Sequence, residues 1–290
     1  MRVLVLFVRY GGERYGNALD ELTRLYERRA PQLTRSTVVI DNALPAESSK
    51  ELGPDSILIG GNNTWWEFSG WQRAIDELGS DIKNYDVVHL VTSAFQTLYT
   101  DYLERFCSQM VELVAERPIT VGHIDYYPHP VRVGSFVSRH WIRSSFWLIN
   151  PFELLRLRSL VSLDSVAKLF SDQGEWPFAE TAQLSYGYQR LIHNWLTTDH
   201  GTGQGTTWHS RFELNETTRT LFRHKTVAIL NEHLLSIRLR AQGTHLLDLT
   251  YLARLINDGR SRRVRYPHWR EQMKMSRIPA GEAIEDTTLQ

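Results

Sequence analysis

Polar and aromatic side chains are concentrated in residues 60–71, which read Gly-Gly-Asn-Asn-Thr-Trp-Trp-Glu-Phe-Ser-Gly-Trp. Amides supply paired hydrogen-bond donors and acceptors, and flat indole rings offer an apolar platform, so the segment is typical of a site for a sugar or a nucleoside. The alternative is a buried turn whose tryptophans fill the core and whose asparagines cap a helix. The candidate binding side chains are Asn62, Asn63, Trp66, Glu67 and Trp71.

Four short apolar runs, separated by amphipathic helical patterns, determine the predicted fold around this segment. Such uninterrupted runs are typical of strands in a mostly parallel sheet flanked by helices on both faces, which makes the fold class α/β. The runs comprise residues 3–8, 37–40, 57–59 and 87–91. After Pro151 helical patterns dominate. We therefore expect an α/β domain over residues 1–160, a helical C-terminal region over 161–258, and a loosely ordered tail, first basic and then polar, over 259–290.

Polar side chains also follow two of the predicted strands. Asp41 and Asn42 come directly after the second apolar run, and Ser93 comes shortly after the fourth. Open α/β sheets bind ligands at the carboxyl ends of their strands. We therefore expect these residues to share one cleft with the segment 60–71.

Four local predictions complete the sequence-based description. They are a helix over residues 98–114 that carries Cys107, a ring-rich loop over 123–130, a polar turn over 138–144 between two strands, and a helix over 178–196 that begins near Glu180.

Several function classes lack the motifs or the charge that they require. The sequence has no P-loop, no Gly-x-Gly-x-x-Gly after the first strand, no His-x-x-x-His and no Gly-x-Ser-x-Gly elbow. Lys plus Arg and Asp plus Glu both number 33, so a net charge of +0 provides no general attraction for nucleic acid.

Location is predicted from the cysteine count and from the apolar runs. No run approaches the roughly twenty apolar residues of a membrane span, so we expect at most peripheral membrane association. Cys107 has no partner for a disulfide, which fits a reducing, cytoplasmic compartment.

The order of these elements resembles the nucleotide-sugar half of glycosyltransferases of GT-A fold, over roughly the first 190 residues. Asp41 and Asn42 stand where members hold the nucleotide base, and the residues from Asn62 to Trp71 stand in the Asn-Gly-rich turn that lines their sugar-diphosphate cleft. Residues 142–149, Ile-Arg-Ser-Ser-Phe-Trp-Leu-Ile, are similar to a stretch in rhamnan-synthesis-type and other polysaccharide-assembly transferases. The resemblance implies a GT-A-like sheet and a nucleotide-sugar donor.

The chain departs from this family at the metal site. Members have an Asp-x-Asp motif after the fourth strand, but this chain has Thr92-Ser93-Ala94 there, without a carboxylate. Hard divalent cations in such sites usually keep a carboxylate ligand, so we expect a metal-independent enzyme with no cofactor. Fixed cations would then have to stabilise the leaving diphosphate. Arg143 is the first candidate, and the further candidates for phosphate or acceptor contacts are Arg139, His140, His209 and Arg211.

The same resemblance suggests the catalytic base. Glu180 stands where related transferases place the carboxylate that deprotonates the acceptor hydroxyl, with Asp125 as the second candidate. The alternative role for Glu180 is a favourable charge at the start of a helix.

The expected function is transfer of a sugar from a nucleoside-diphosphate sugar to a glycan or other hydroxyl acceptor. The alternative is a non-catalytic carbohydrate- or nucleotide-binding protein with a degenerate transferase cleft. The missing Asp-x-Asp is common to both, so turnover of a nucleotide sugar is what separates them. The expected donor-binding residues are Asp41, Asn42, Asn62, Asn63, Trp66, Glu67, Trp71 and Ser93.

Overall fold

A computed structural model describes residues 1–13, 15–95, 102–163, 166, 168–172, 174, 176–198, 211–260 and 266–277. Within these residues, eight strands form one sheet in the order β3-β4-β2-β1-β5-β7-β6-β8. The strands are β1 (Arg2–Arg9), β2 (Thr34–Asp41), β3 (Ser49–Gly53), β4 (Ser56–Gly60), β5 (Val87–Thr92), β6 (Ile119–Val133), β7 (Phe136–Ile149) and β8 (His245–Asp248).

Helices cover both faces of the sheet. They are α1 (Ala18–Arg29), α2 (Glu67–Leu78), α3 (Ser108–Glu116), α4 (Pro151–Arg156), α5 (Tyr186–Thr197), α6 (Arg219–Ala241), α7 (Leu249–Asn257) and α8 (Trp269–Ser276), with 3₁₀ turns at Gly79–Asn84 and Leu103–Arg105. Val3, Val5 and Phe7 of β1 pack with α1, α3 and α7, whereas Leu4 and Leu6 pack on the other face with α2, α4, α6 and α8. Because both faces are covered, the strand is apolar throughout, and the predicted α/β fold class is confirmed.

The parallel part of the sheet brings several strand ends to one edge. β1 lies between β2 and β5 and runs parallel to both, and β4 runs parallel to β2. The carboxyl ends of these four strands therefore meet at the same edge. β7 is antiparallel to β5, and β8 pairs with β6. Because β8 belongs to the sheet, the sheet extends across the predicted division at residue 160.

The long β6–β7 hairpin corrects two predictions. The expected loop over 123–130 and the expected polar turn over 138–144 both lie within strands of this hairpin. Pro128 and Pro130 are accommodated because the register shifts between Tyr126 and Val131, so neither proline has to donate a hydrogen bond at that point. Cross-strand pairing and polar contacts between side chains on the hairpin outweigh the local turn-like composition.

Two predicted helices are shorter than expected. In the described part of residues 98–114, α3 begins only at Ser108, and Cys107 precedes it in extended backbone and is half-buried. The helix expected over 178–196 begins at Tyr186. Phe178 and Leu184 form isolated β-bridges to Phe170 and Val133, so the chain between them is not helical.

The predicted loosely ordered tail contains an ordered helix. In α8, Trp269 and Met273 are buried against the face of the sheet that also carries α2 and α6. Residues 261–265 and 278–290 lie outside the described part of the chain. No helix in the described part is long and apolar enough to cross a membrane.

Candidate functional site

A cleft of about 970 Å³ lies at the edge where the parallel strands end. Its walls are the loop after β1, the ends of β2 and β5, the start of α2, part of β7, and α6. Of the predicted site residues, those that line the cleft are Asn42, Asn63, Trp66, Glu67, Ser93 and Arg143. The structure therefore brings these six side chains together as the sequence predicted, while their binding roles stay predictions.

Asn42 connects the end of β2 to the turn before α2. Its side-chain nitrogen donates to the backbone oxygen of Trp66 at 3.0 Å and to Oδ1 of Asn63 at 3.3 Å. A Cβ atom at Gly70 would lie 2.7 Å from Oδ1 of Asn42, and one at Gly61 would lie closer still. The two glycines are thus required because the Asn42 amide fills the space that their side chains would occupy.

Trp66 has a strained backbone at the wall of the cleft. Its φ of 56° and ψ of −135° are unusual for a residue other than glycine, and it immediately precedes α2. The Nζ atom of Lys225 lies 3.5 Å from the centroid of its ring. Strained residues of this kind concentrate at ligand sites, and the cation holds the indole in a fixed position.

Asp41 supports the cleft without lining it. The residue is buried, and its carboxylate accepts hydrogen bonds from Arg9 Nε, Gly11 N and Ala43 N at 2.8 to 3.0 Å. It is not among the described residues that line the cleft. The prediction that Asp41 contacts a nucleotide base is therefore corrected: the carboxylate folds the glycine-containing loop after β1 over the strand ends.

Two further donor-binding predictions are also corrected. Trp71 is 0% exposed and donates from Nε1 to the backbone oxygen of Leu6 at 3.0 Å, so its ring fills the core. The Oδ1 atom of Asn62 accepts from the backbone N–H of Thr64 at 2.9 Å, and its exposed side chain shapes the turn. For these two residues the packing and turn-forming alternative is the correct one.

Asp125 and Arg143 form a buried ion pair. Nε and Nη2 of Arg143 lie 2.8 and 2.6 Å from the same carboxylate oxygen, Oδ2 of Asp125. Burial opposes ionisation of Asp125, but Arg143 and His123 hold its pKa well below the usual range. For Arg143, burial opposes the charge, yet Asp125 raises its pKa. A carboxylate so stabilised is a poor base, so Asp125 serves to position Arg143 at the cleft wall.

The remaining predicted residues lie elsewhere. Glu180 is exposed in a turn, and neither it nor exposed Arg211 is among the described residues that line the cleft. Buried Arg139 donates from Nε to the backbone oxygen of Tyr127 at 2.7 Å. His140 stacks on Trp269 with ring centroids 5.3 Å apart. His209 lies outside the described residues.

His140 is also unsuitable as a fixed cation. Burial and the nearby Arg240 guanidinium hold its pKa well below the usual range, so the ring is neutral at physiological pH. The expected phosphate contact from His140 is therefore corrected.

No family model matches the chain, and no curated protein matches it in sequence.

Two residues of α6 were not predicted from the sequence: Lys225, which lines the cleft, and Glu232, which lies next to it. The signal for Glu232 is a polar triplet, Asn231-Glu232-His233, inside an otherwise apolar stretch of helix. Ser144 on β7 bridges Glu232 to Glu67: its N–H donates to Oε1 of Glu232, and its hydroxyl donates to Oε1 of Glu67 at 2.7 Å.

Glu232 differs from an ordinary carboxylate. Its side chain is 15% exposed. Burial and the neighbouring Glu67 carboxylate raise its pKa to about 8, although the Ser144 N–H acts in the opposite direction. Within the described part of the chain, no three His, Cys, Asp or Glu side chains are grouped as metal ligands.

Proposed function

We propose that this protein is a glycosyltransferase that moves a sugar from a nucleoside-diphosphate sugar to a hydroxyl acceptor without a divalent metal. The observation that supports this best is the cleft at the strand ends, where amides, an aromatic ring and fixed cations converge. Open α/β sheets bind nucleotides at this edge. The proposal includes a cytoplasmic location, in keeping with the single cysteine.

The side chains that line the cleft suit each part of a nucleotide sugar: its phosphates, its base and its sugar. Arg143 on β7 and Lys225 on α6 both line the cleft, and their positive charges suit the two phosphates. Tyr10 is 66% exposed at the mouth of the cleft and offers a ring face to the nucleobase. Asn63 and Glu67 supply the acceptors and donors that sugar hydroxyls require.

The Arg143 guanidinium is well suited to a departing diphosphate. Asp125 holds it in one orientation through two hydrogen bonds, so little entropy is lost when phosphate oxygens bind. A preorganised cation stabilises charge that develops on the leaving group. The same ion pair keeps Arg143 charged at every physiological pH.

A thermal-shift and turnover screen tests the proposal. Nucleoside diphosphates and their sugar conjugates are added with EDTA, and release of nucleoside diphosphate is measured with saccharide acceptors. A ligand at one hundred times its Kd adds about 2.7 kcal/mol to the free energy of unfolding, which raises Tm by several degrees.

The variant Lys225→Met tests whether the nucleoside diphosphate binds in this cleft. Loss of the charge should weaken nucleoside-diphosphate binding several-fold in calorimetry. Asn84→Ala is the control, because exposed Asn84 precedes β5 and therefore lies near the opposite edge of the sheet. Unchanged affinity in Lys225→Met would remove the phosphate assignment. Saccharide binding with no nucleotide-sugar turnover would favour a non-catalytic carbohydrate-binding protein.

A further inference from the structure

A second, smaller cavity of about 160 Å³ adjoins the main cleft. Glu67, Ser144 and Lys225 line both spaces, so the cavity and the cleft share one wall. Trp195 of α5 and Glu232 of α6 line only the smaller one. It combines a ring face, a cation and two carboxyl groups, which are the groups that bind one sugar ring and its hydroxyls.

Helix geometry directs Glu232 into this cavity. Lys225, Ile229 and Glu232 are spaced by four and three residues, so they share one face of α6. At the far side of the cavity, the Ser144 N–H donates to Glu232 and thereby fixes the carboxyl group next to Glu67. The Glu232 side chain is thus held at the junction between the two spaces.

Charged groups from several elements face Glu232. The negative ones are Glu67 on α2 and Asp125 on β6, and the positive ones are Arg143 on β7 and Lys225 on α6. The phenol groups of Tyr127 on β6 and Tyr188 on α5 also lie near it and have raised pKa values because of burial. The two positive side chains are thus equal in number to the two negative ones around Glu232.

His233 is the remaining titratable neighbour. Its Nε2 atom lies 3.9 Å from Oε2 of Glu232 and has no hydrogen-bond partner among the described residues. Its Nδ1 contacts the Tyr188 hydroxyl, and burial lowers its pKa to about 3. The ring is therefore neutral. Its Nε2 atom is the ring nitrogen nearest the Glu232 carboxyl group.

We propose that the smaller cavity receives the acceptor hydroxyl and that the Glu232 carboxylate accepts its proton, an inference that rests on the glycosyltransferase activity proposed above. The Trp195 ring would stack on the face of the acceptor sugar. The donor sugar would lie across the shared wall, next to Glu67 and Ser144. This arrangement places the acceptor oxygen and the donor sugar on either side of the junction.

The transfer step is balanced without any further reactant. A lone pair of the acceptor oxygen forms a bond to the anomeric carbon of the donor sugar. The bond from that carbon to the diphosphate oxygen breaks, and its electron pair leaves with the nucleoside diphosphate towards Arg143 and Lys225. The acceptor proton moves to a carboxylate oxygen of Glu232, which becomes a neutral acid.

The electrostatics of Glu232 suit this role. A base is most effective when its pKa lies near the working pH, because it must be ionised and still attract the proton strongly. With a pKa of about 8, roughly a tenth of Glu232 is ionised at pH 7. Turnover should therefore rise with pH up to about 8 and level off above it.

The decisive experiment compares kcat between pH 6 and 9.5 in the unmodified protein and in Glu232→Gln, Glu67→Gln and Glu153→Gln. Glu153 is the matched control, since its side chain is 12% exposed and hydrogen-bonds Arg156 and Thr244 outside both cavities. Glu232→Gln should lower kcat by about 10²- to 10⁴-fold and abolish the rise with pH. Its Kd for the nucleoside diphosphate should stay within about twofold, which shows that the variant is folded.

The outcomes distinguish this inference from the proposed function. If the unmodified protein turns over no nucleotide sugar, both fail. If it does, and Glu232→Gln keeps its turnover and pH profile, only the assignment of Glu232 fails. Loss of the pH-dependent rise in Glu67→Gln with its retention in Glu232→Gln would identify Glu67 as the base and would likewise overturn the assignment.

Discussion

Glu232→Gln should make the protein more stable at high pH. The folded-state pKa of about 8 exceeds the ordinary value of 4.5, so between these values the folded chain binds more protons than the unfolded chain. Stability is then fully present below pH 4.5 and falls as pH rises to about 8. At about 1.4 kcal/mol for each pH unit, this group accounts for a loss of up to about 5 kcal/mol. Glutamine cannot ionise and resembles the protonated acid in shape, so the variant avoids this loss.

Urea unfolding at pH 5, 7 and 9 measures the effect. The unmodified protein and Glu232→Gln should have similar free energies of unfolding at pH 5. At pH 9 the variant should be more stable by about 3 to 5 kcal/mol. With a slope of about 3 kcal/mol per molar, the urea midpoint shifts by more than about 1 M. Other titrating groups cancel in the difference. A difference between the two proteins that stays constant with pH would refute the buried, neutral carboxyl group of Glu232.

The buried ion pair, the core tryptophan and the expected independence from metal each give a further prediction. Asp125→Asn should lower the free energy of unfolding in urea by about 3 to 5 kcal/mol, because Arg143 stays buried without its counter-charge. A loss under about 1 kcal/mol at pH 7 would contradict this prediction. In the unmodified protein the folded-state pKa of Asp125 lies below 3.8, so the stabilisation from the ion pair should be lost as pH falls below 3.8. Trp71→Phe should lower the free energy of unfolding by about 1 to 3 kcal/mol, because it removes the indole N–H that donates to the Leu6 carbonyl. Calorimetric affinity for a nucleoside diphosphate should be unchanged. Weakened binding would show that Trp71 contributes to the cleft. Turnover should survive EDTA; a loss restored only by Mg²⁺ or Mn²⁺ would show that carboxylates of this chain bind a divalent metal.

The position of the cleft can be predicted from the sequence, because it depends on local patterns of apolar and polar residues. Buried parallel strands are apolar throughout, so β1, β2, β4 and β5 stand out, and polar residues directly after them must lie at one edge of the sheet. Asn42, Asn63, Glu67 and Ser93 line the cleft, as this reasoning predicts, and their binding roles stay predictions. The fold class followed from the same alternation of strands and helices.

Sequence alone does not distinguish side chains that line the cleft from side chains that support it. Trp66 and Trp71 occur in one segment, yet one ring lines the cleft and the other is fully buried. Asp41 and Asn42 are neighbours, but backbone N–H groups and Arg9 occupy the carboxylate of Asp41. Such assignments depend on which face of a strand or helix meets the core.

Sequence by itself determined the apolar strands, the α/β class and the edge at which polar residues gather, because each depends on the period and order of neighbouring residues. Tertiary structure alone decided the β6–β7 hairpin, the Asp125–Arg143 pair and the junction of Glu67, Ser144 and Glu232. The junction joins residues 77 and 88 positions apart in the chain, and pairing of β6 with β7 is what brings Asp125 to Arg143. The energies of these contacts come from burial and charge pairing that exist only once the chain has folded.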